Sequence, residues 1–198
     1  MLIERIIEEA IEKISLNMPF EYWILLEKSE KEILKIKSDV KGSIEEGVVV
    51  KGNLVLGEGS VIKAGSRIEG NVFVGNNCVI GPNAYLRSGT IIADNCFVGV
   101  CEIKNSIILE NTKIPHFSYI GDSVIGRNCN FGAGTKVANL RHDSQSVKVV
   151  LNGKKIDSGR RKLGCLMFDD VKTGVNSTIN CGAVLEKGAR VLPNDYVK

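Results

Sequence analysis

Branched aliphatic residues recur along this chain at a strict spacing of six: Ile44, Val50, Leu56, Ile62, Ile68, Val74, Ile80, Leu86, Ile92 and Val98. A period of six fits neither an amphipathic helix nor a simple alternating strand. It predicts a hexapeptide solenoid, in which each hexad is a short strand plus a turn and successive coils stack. One coil cannot bury its apolar row alone, so it needs neighbours above and below. The other positions agree. Four residues beyond each aliphatic one the side chains are mostly small, as at Ser60, Ser66, Cys78, Ala84, Thr90 and Cys96. Between them lie turn formers such as Gly-Glu-Gly-Ser (57–60) and Gly-Pro-Asn-Ala (81–84), which tolerate left-handed backbone angles. The resulting picture is a narrow prism, mainly β, with branched residues inside, small residues at the corners and polar turns in water.

The pattern changes at both ends of this row. Leu2, Ile3, Ile6, Ile7, Ala10, Ile11 and Ile14 recur at helical spacing with charges on the other face, which predicts an amphipathic helix over 1–14. Met18-Pro19 ends it, and 20–34 reads as a second helix. These helices serve either to pack on the prism or a neighbouring subunit, or to recognise another protein. The solenoid starts at Ser43 and keeps phase to Val98. The phase then slips: Ile103 and Leu109 share one register, Ile108, Ile114 and Ile120 a second, and Ile125, Phe131 and Val137 a third. The row resumes at Met167 and continues through Thr173, Ile179, Leu185 and Val191. The gap from Val137 to Met167 is thirty residues, or five hexads, so an insertion loops out and returns the chain in register. It contains a hairpin signal, Asn152-Gly153 between alternating flanks, and then the basic run Arg160-Arg161-Lys162. The expected division is a helical segment, 1–37, and a β-domain, 43–198, with a loop insertion at about 139–165. Long loops on regular scaffolds tend to carry function, which directs attention to 100–165.

Composition adds exclusions. With 26 basic and 23 acidic residues, net +3, the charge is too balanced to argue for nucleic acid or a membrane surface. No apolar run is long enough to span a bilayer, and the N-terminus lacks a signal-peptide layout. The six cysteines, 78, 96, 101, 129, 165 and 181, include no Cys-x-x-Cys and fit no metal spacing, so no metal site is expected. Cys78 and Cys96 stand three hexads apart, which leaves a disulfide across adjacent coils open. The lack of secretory features favours reduced packing thiols and a cytoplasmic location.

The most polar stretch is Pro115-His116-Phe117-Ser118-Tyr119-Ile120-Gly121-Asp122, followed by Asn130-Phe131-Gly132-Ala133-Gly134-Thr135 and Ala138-Asn139. On a regular lattice Tyr119, Asn130 and Asn139 fall one or two coils from His116. A neutral imidazole there suits a general base near neutral pH. The segment HFSYIGDSVIGRNCNFGAGTKVANL resembles the acetyltransferase domain of the bifunctional enzyme that makes UDP-N-acetylglucosamine. It is similar also to related sugar-1-phosphate nucleotidylyltransferases that carry such a domain at their C-terminus, where Ser-Gly-Arg-Arg-Lys-Leu-Gly likewise follows a longer insertion. The likeness covers about 43–192 and reaches back to 20–35, which resembles the segment joining the two domains. The nucleotidylyltransferase domain itself has no counterpart in this chain.

The resemblance implies a left-handed parallel β-helix that assembles as a homotrimer, with each active site in a groove between subunits. It implies acetyl transfer from acetyl-CoA to the amine of an amino-sugar 1-phosphate, glucosamine 1-phosphate or galactosamine 1-phosphate, as a step toward cell-wall precursors. On the matching positions, His116 is the general base and Asn139 helps orient the amine and the thioester. Tyr119 and Asn130 hold the sugar, Arg87 and Lys104 bind its phosphate, and Ala133 meets the acetyl-CoA. Backbone N–H groups of the Gly132-Ala133-Gly134 turn are the expected donors to the tetrahedral oxyanion. Arg160, Arg161 and Lys162 read either as phosphate contacts or as a solvated charge run. Lys148 has no safe match, and His142 is expected to face solvent. Two other readings stay open: acyl transfer to a nucleotide-linked amino sugar, and a non-catalytic trimeric partner of a separate nucleotidylyltransferase. A hexapeptide carbonic anhydrase is excluded, since it needs three zinc-binding histidines and this chain has 2.

Overall fold

The structure, a computed structural model, describes residues 2–198. Its body is a left-handed parallel β-helix of about nine turns. Short strands stack in parallel into a sheet of eight strands on one face and a sheet of 11 that bends around the other faces. The six-residue row points inward: Leu56, Ile62, Ile68, Val74, Ile80, Leu86, Ile92 and Val98 are fully buried. Ile44 and Val50 hold the same position in the first coil, yet they are exposed, because no coil lies beneath them.

Small corner residues link one coil to the next. Ser60 Oγ accepts the Cys78 N–H at 2.8 Å and donates to the Gly75 carbonyl at 2.6 Å. Cys78 Sγ in turn accepts the Cys96 N–H at 3.4 Å. At another corner Ser106 Oγ accepts from Ser123 N, and Ser123 Oγ from Cys165 N at 3.0 Å. Buried hydroxyls and thiols thereby find partners on the adjacent coil, which burial demands of polar groups. All six thiols are free, so Cys78 and Cys96 stack without a disulfide.

The phase slip comes from shortened turns. Low in the stack, bonded partners lie 18 residues apart, as Cys78 and Ser60 do. Higher up the interval falls to 16, as between Ile92 and Ile108, and then stands at 17, as between Cys129 and Thr112, while the inward side chains stay in line. Ile103 still pairs with Ile120 and Ile92 with Ile108. Leu109 leaves the row. The sequence register groups it with Ile103, but Ile108 takes the inward place and Leu109 packs outside, in the layer beneath the helices.

The insertion forms an antiparallel hairpin, Lys148–Leu151 with Lys154–Asp157. Its turn residues Asn152 and Gly153 have φ of 50° and 74°, as a tight hairpin turn with two left-handed residues requires. The chain then rejoins the stack, with Met167 on Ile125.

Helices α1 (Leu2–Ser15) and α2 (Tyr22–Ile33) cover one face of the prism. There the outward residue of six successive strands is apolar: Val55, Phe73, Ile91, Ile107, Val124 and Leu166. They pack with Ile3, Ile6, Ile14, Tyr22, Leu25 and Leu26, and the hairpin side chains Val147, Val149 and Leu151 extend the cover. Polar ties fix the layer. Tyr22 Oη donates to the Gly164 carbonyl at 2.9 Å, and Asn71 Nδ2 to the Ile33 carbonyl at the end of α2 at 2.8 Å. Among the described residues no helix is long and apolar enough to cross a membrane.

Candidate active site

His116 lies in the strand Lys113–Gly121, which turns a corner of the prism. Val100 of the coil below faces His116, but the next residue, Cys101, faces Ser118. Phe117 is the extra residue of a β-bulge, a device that re-aims neighbouring side chains. Its φ is +49° and it is 70% exposed. Every other non-glycine residue with positive φ among those described is Asn, Asp or Ser, so a bulky side chain in this conformation marks local strain. His116 is exposed beside the Phe117 ring, with centroids 6.5 Å apart. The imidazole has no hydrogen-bond partner among the described residues. The backbone beneath is held: Gly134 N donates to the His116 carbonyl at 3.0 Å and Ser118 Oγ donates to it at 3.1 Å.

Three of the other expected residues are joined through Asp122. Lys104 Nζ lies 3.2 Å from both Asp122 oxygens. Asn139 Nδ2 donates to Asp122 Oδ2 at 2.6 Å and to Tyr119 Oη at 3.1 Å. Burial, with the charges of Asp122 and Glu102, pushes the Tyr119 phenol above its usual pKa. It is therefore a neutral phenol at pH 7. Arg87 stands one coil below Lys104 and pairs with Glu102 at 2.8 Å. Its guanidinium lies 5.8 Å from the Tyr85 ring centroid. Both expected phosphate-binding cations thus already hold carboxylates.

Asn130 and Ala133 lie one coil above His116. Asn130 sits on the adjoining face, bridged to Lys113 below and Lys172 above. It is not bonded to the Tyr119–Asn139 cluster. The Gly132-Ala133-Gly134 turn differs from expectation. Gly132 N is bonded to the Thr173 carbonyl at 3.0 Å and Gly134 N to that of His116, because stacking coils need these donors. Only the Ala133 N–H is left to meet an oxyanion.

The basic run divides. Arg160 turns inward and pairs with Glu30 of α2, while Arg161 and Lys162 are exposed. Lys148 and His142 are exposed and line a groove of about 1060 Å³ between the hairpin and the upper coils. The groove begins at Ala138, next to Asn139, and carries Arg141, Lys155 and Lys198 as further cations. Sequence reasoning assigned no role to Asp122, Asn105 or Glu30. Asp122 stands inside the quoted motif, but nothing in linear sequence links it to a helix residue 92 positions earlier.

Similar proteins are longer chains. A bifunctional sugar-1-phosphate nucleotidylyltransferase/acetyltransferase of Sulfurisphaera tokodaii is 48% identical over 157 residues, which is 79% of this chain and 39% of that protein. The bifunctional protein GlmU of Methanocaldococcus jannaschii is 48% identical over 154 residues, covering 77% and 38%. That of Methanococcus maripaludis is 56% identical over 173 residues, covering 87% and 42%. The chain therefore spans about two fifths of the length of these curated relatives. The family profile of the GMPPB C-terminal domain matches residues 68–189, well over half of the sequence. The chain belongs to the GMPPB C-terminal domain family.

Proposed function

We propose that this chain is an acyltransferase that moves an acetyl group from acetyl-CoA to the amine of an amino-sugar 1-phosphate. The observation that carries the reading is the exposed, unpartnered His116 on a bulged strand, three residues from the bonded Tyr119–Asn139–Asp122–Lys104 cluster. A scaffold without chemistry has no use for a strained bulge that presents an imidazole. The double names of the relatives support the substrate class.

In this reading the sugar ammonium loses one proton to solvent, and as the resulting amine attacks the thioester carbon His116 takes a second proton from its nitrogen. The oxyanion of the tetrahedral adduct meets the Ala133 N–H. Collapse breaks the carbon–sulfur bond, and the imidazolium returns its proton to the departing thiolate. Arg87 and Lys104 exchange their carboxylates for the sugar phosphate. Arg87 and Glu102 are both more than a third exposed, so that exchange is inexpensive. Tyr119 and Asn130 hold the sugar. The groove beyond Ala138 has the volume and the cationic lining for the nucleotide end of the donor. The working unit is a homotrimer, with a neighbouring subunit closing the cleft over His116.

A thiol-release assay with acetyl-CoA and a panel of amino sugars tests this. Turnover is expected with glucosamine 1-phosphate or galactosamine 1-phosphate. Loss of a positioned base costs about 10²–10⁴-fold, so His116→Ala should lower kcat by that much. Unchanged turnover in His116→Ala refutes the base assignment, and faster turnover of a nucleotide-linked amino sugar transfers the reading to that acceptor. A monomeric mass by light scattering removes the shared cleft.

A further inference from the structure

Asp122 is more than a counter-ion for Lys104. Its side chain is 2% exposed and stands in a left-handed turn at φ 52°. Oδ1 accepts from Lys104 Nζ at 3.2 Å and Asn105 Nδ2 at 2.8 Å. Oδ2 accepts from Lys104 Nζ at 3.2 Å and Asn139 Nδ2 at 2.6 Å. An ionised carboxylate can only accept, so the Asn139 amide must turn its nitrogen toward Asp122. The second proton of that nitrogen reaches Tyr119 Oη. Both amide protons are then engaged, and Oδ1 is the pole that Asn139 has left to offer. Tyr119, accepting from Asn139, aims its single proton elsewhere.

The carboxylate is braced from behind. Asn105 Nδ2 also donates to Glu30 Oε1 at 2.7 Å. Glu30 is bound through both oxygens by the Arg160 guanidinium. Two cations and two carboxylates, from the prism, helix α2 and the loop insertion, thus form one neutral cluster. Asn105 is itself left-handed, at φ 46°, a conformation that suits asparagine and few other residues.

We propose that Asp122 is the positioning residue of this site: it fixes Asn139 as a hydrogen-bond acceptor for the substrate amine and Tyr119 as a donor to a substrate oxygen, with Glu30 and Arg160 bracing it. The proposal rests on the acyl-transfer reading. An amine that donates one N–H to Asn139 Oδ1 is held with its lone pair free to face the thioester. If the amide were reversed, it would present donors to a group that must itself donate.

Two measurements test this. The first is kinetic. Small misplacements of a reacting group cost on the order of 10²-fold, so Asp122→Asn is expected to lower kcat by about 10–100-fold. KM for the sugar phosphate is not expected to rise, because Lys104 loses its counter-charge. The Asp122→Asn/Asn139→Ala double variant is expected to be no slower than Asn139→Ala alone. A merely structural role predicts losses that multiply, and multiplied losses overturn the proposal. The second measurement needs no turnover. With tyrosine labelled at Cζ, and its signal assigned through Tyr119→Phe, the Tyr119 titration is followed by NMR. Its midpoint is expected to fall in Asp122→Asn, since a neighbouring negative charge is gone. An unmoved midpoint overturns the proposal. Should the wild type transfer no acetyl group, the acyl-transfer reading fails by itself and the titration still decides this one. Should Asp122→Asn not fold, exchange of the Asn139 side-chain amide protons in the wild type replaces it. Protection of both protons supports the proposal, and rapid exchange of either overturns it.

Discussion

Gly99→Ala tests how tightly the position of His116 depends on the stack beneath it. A Cβ built on Gly99 would lie 2.0 Å from the Pro115 carbonyl oxygen, 2.8 Å from its carbon and 3.2 Å from its Cα. Real Cβ contacts essentially never fall under 3.0 Å, so one strand must move by about 1 Å against backbone that cannot rotate away. The φ of Gly99 is not left-handed, so the whole effect is steric. Pro115 carries His116 with it, and the Gly134 N–H bond to the His116 carbonyl on the far side opposes the shift. Overpacking of this kind costs about 1–3 kcal/mol. At roughly 2–4 °C per kcal/mol for a domain of this size, Tm should fall by about 2–12 °C. A displacement of about 1 Å at the base should lower kcat by about 10²-fold. Differential scanning calorimetry and the thiol-release assay read the two effects. Gly47→Ala is the comparison. Its Cβ meets nothing within 4 Å and its φ is +86°, so only a conformational cost of about 1–2 kcal/mol is expected, with kcat unchanged. Wild-type kcat and Tm in Gly99→Ala would refute the steric argument, and a lowered Tm with full kcat would separate His116 from the reaction.

Three further outcomes are expected. Ser123→Ala leaves the buried Cys165 N–H without its acceptor, at a cost of about 1–3 kcal/mol; unchanged Tm and unchanged hydrogen exchange at Cys165 would contradict this. Burial pushes the Cys129 and Cys165 thiols up to about 12 and Cys101 up to about 11, and Cys181 alone is not buried. Iodoacetamide on the folded protein at pH 8 should therefore modify one thiol of six, which mass spectrometry of the peptides can check. Burial opposes the charge of Glu30, but hydrogen bonds from Arg160 and Asn105 outweigh it and hold its pKa below the ordinary 4.5. Because folding lowers this pKa, the stabilisation is present above the unfolded value and is lost as pH falls through the folded one. The stability gap between wild type and Glu30→Gln should thus narrow below pH 4.5, and a gap independent of pH would count against the pairing.

The solenoid was legible because its inward row repeats every six residues with almost no exception. The helices were legible for the same reason, at a different period. The covered face was also written in the chain, though at a longer interval. The residue just before the inward one is apolar in every third hexad, from Val55 through Phe73 and Ile91 to Val124 and Leu166, while Arg67, Tyr85, Glu102 and Tyr119 fill that place on a bare face. A six-residue period alone does not separate the faces. Leu109 was misgrouped because hydrophobicity cannot tell an inward side chain from one pressed between two layers. At the candidate site, motif spacing singled out His116, Tyr119 and Asn139, and the fold bonds the last two to each other. It could not bring out the bracing of Asp122, since Glu30 and Asn105 meet only through tertiary contact. Nor could it reveal that neighbouring coils had already taken two of the three N–H groups in the glycine turn.

The corner bonds have a consequence for how such a molecule diversifies. Ser123 Oγ receives the Cys165 N–H across 42 residues with the same chemistry that Ser60 uses for Cys78 across 18. The frame therefore reads only where a segment departs and where it lands, not how much chain travels between. Loops at these corners are interchangeable fittings. Chain can be added or removed there while the strands on either side keep their alignment.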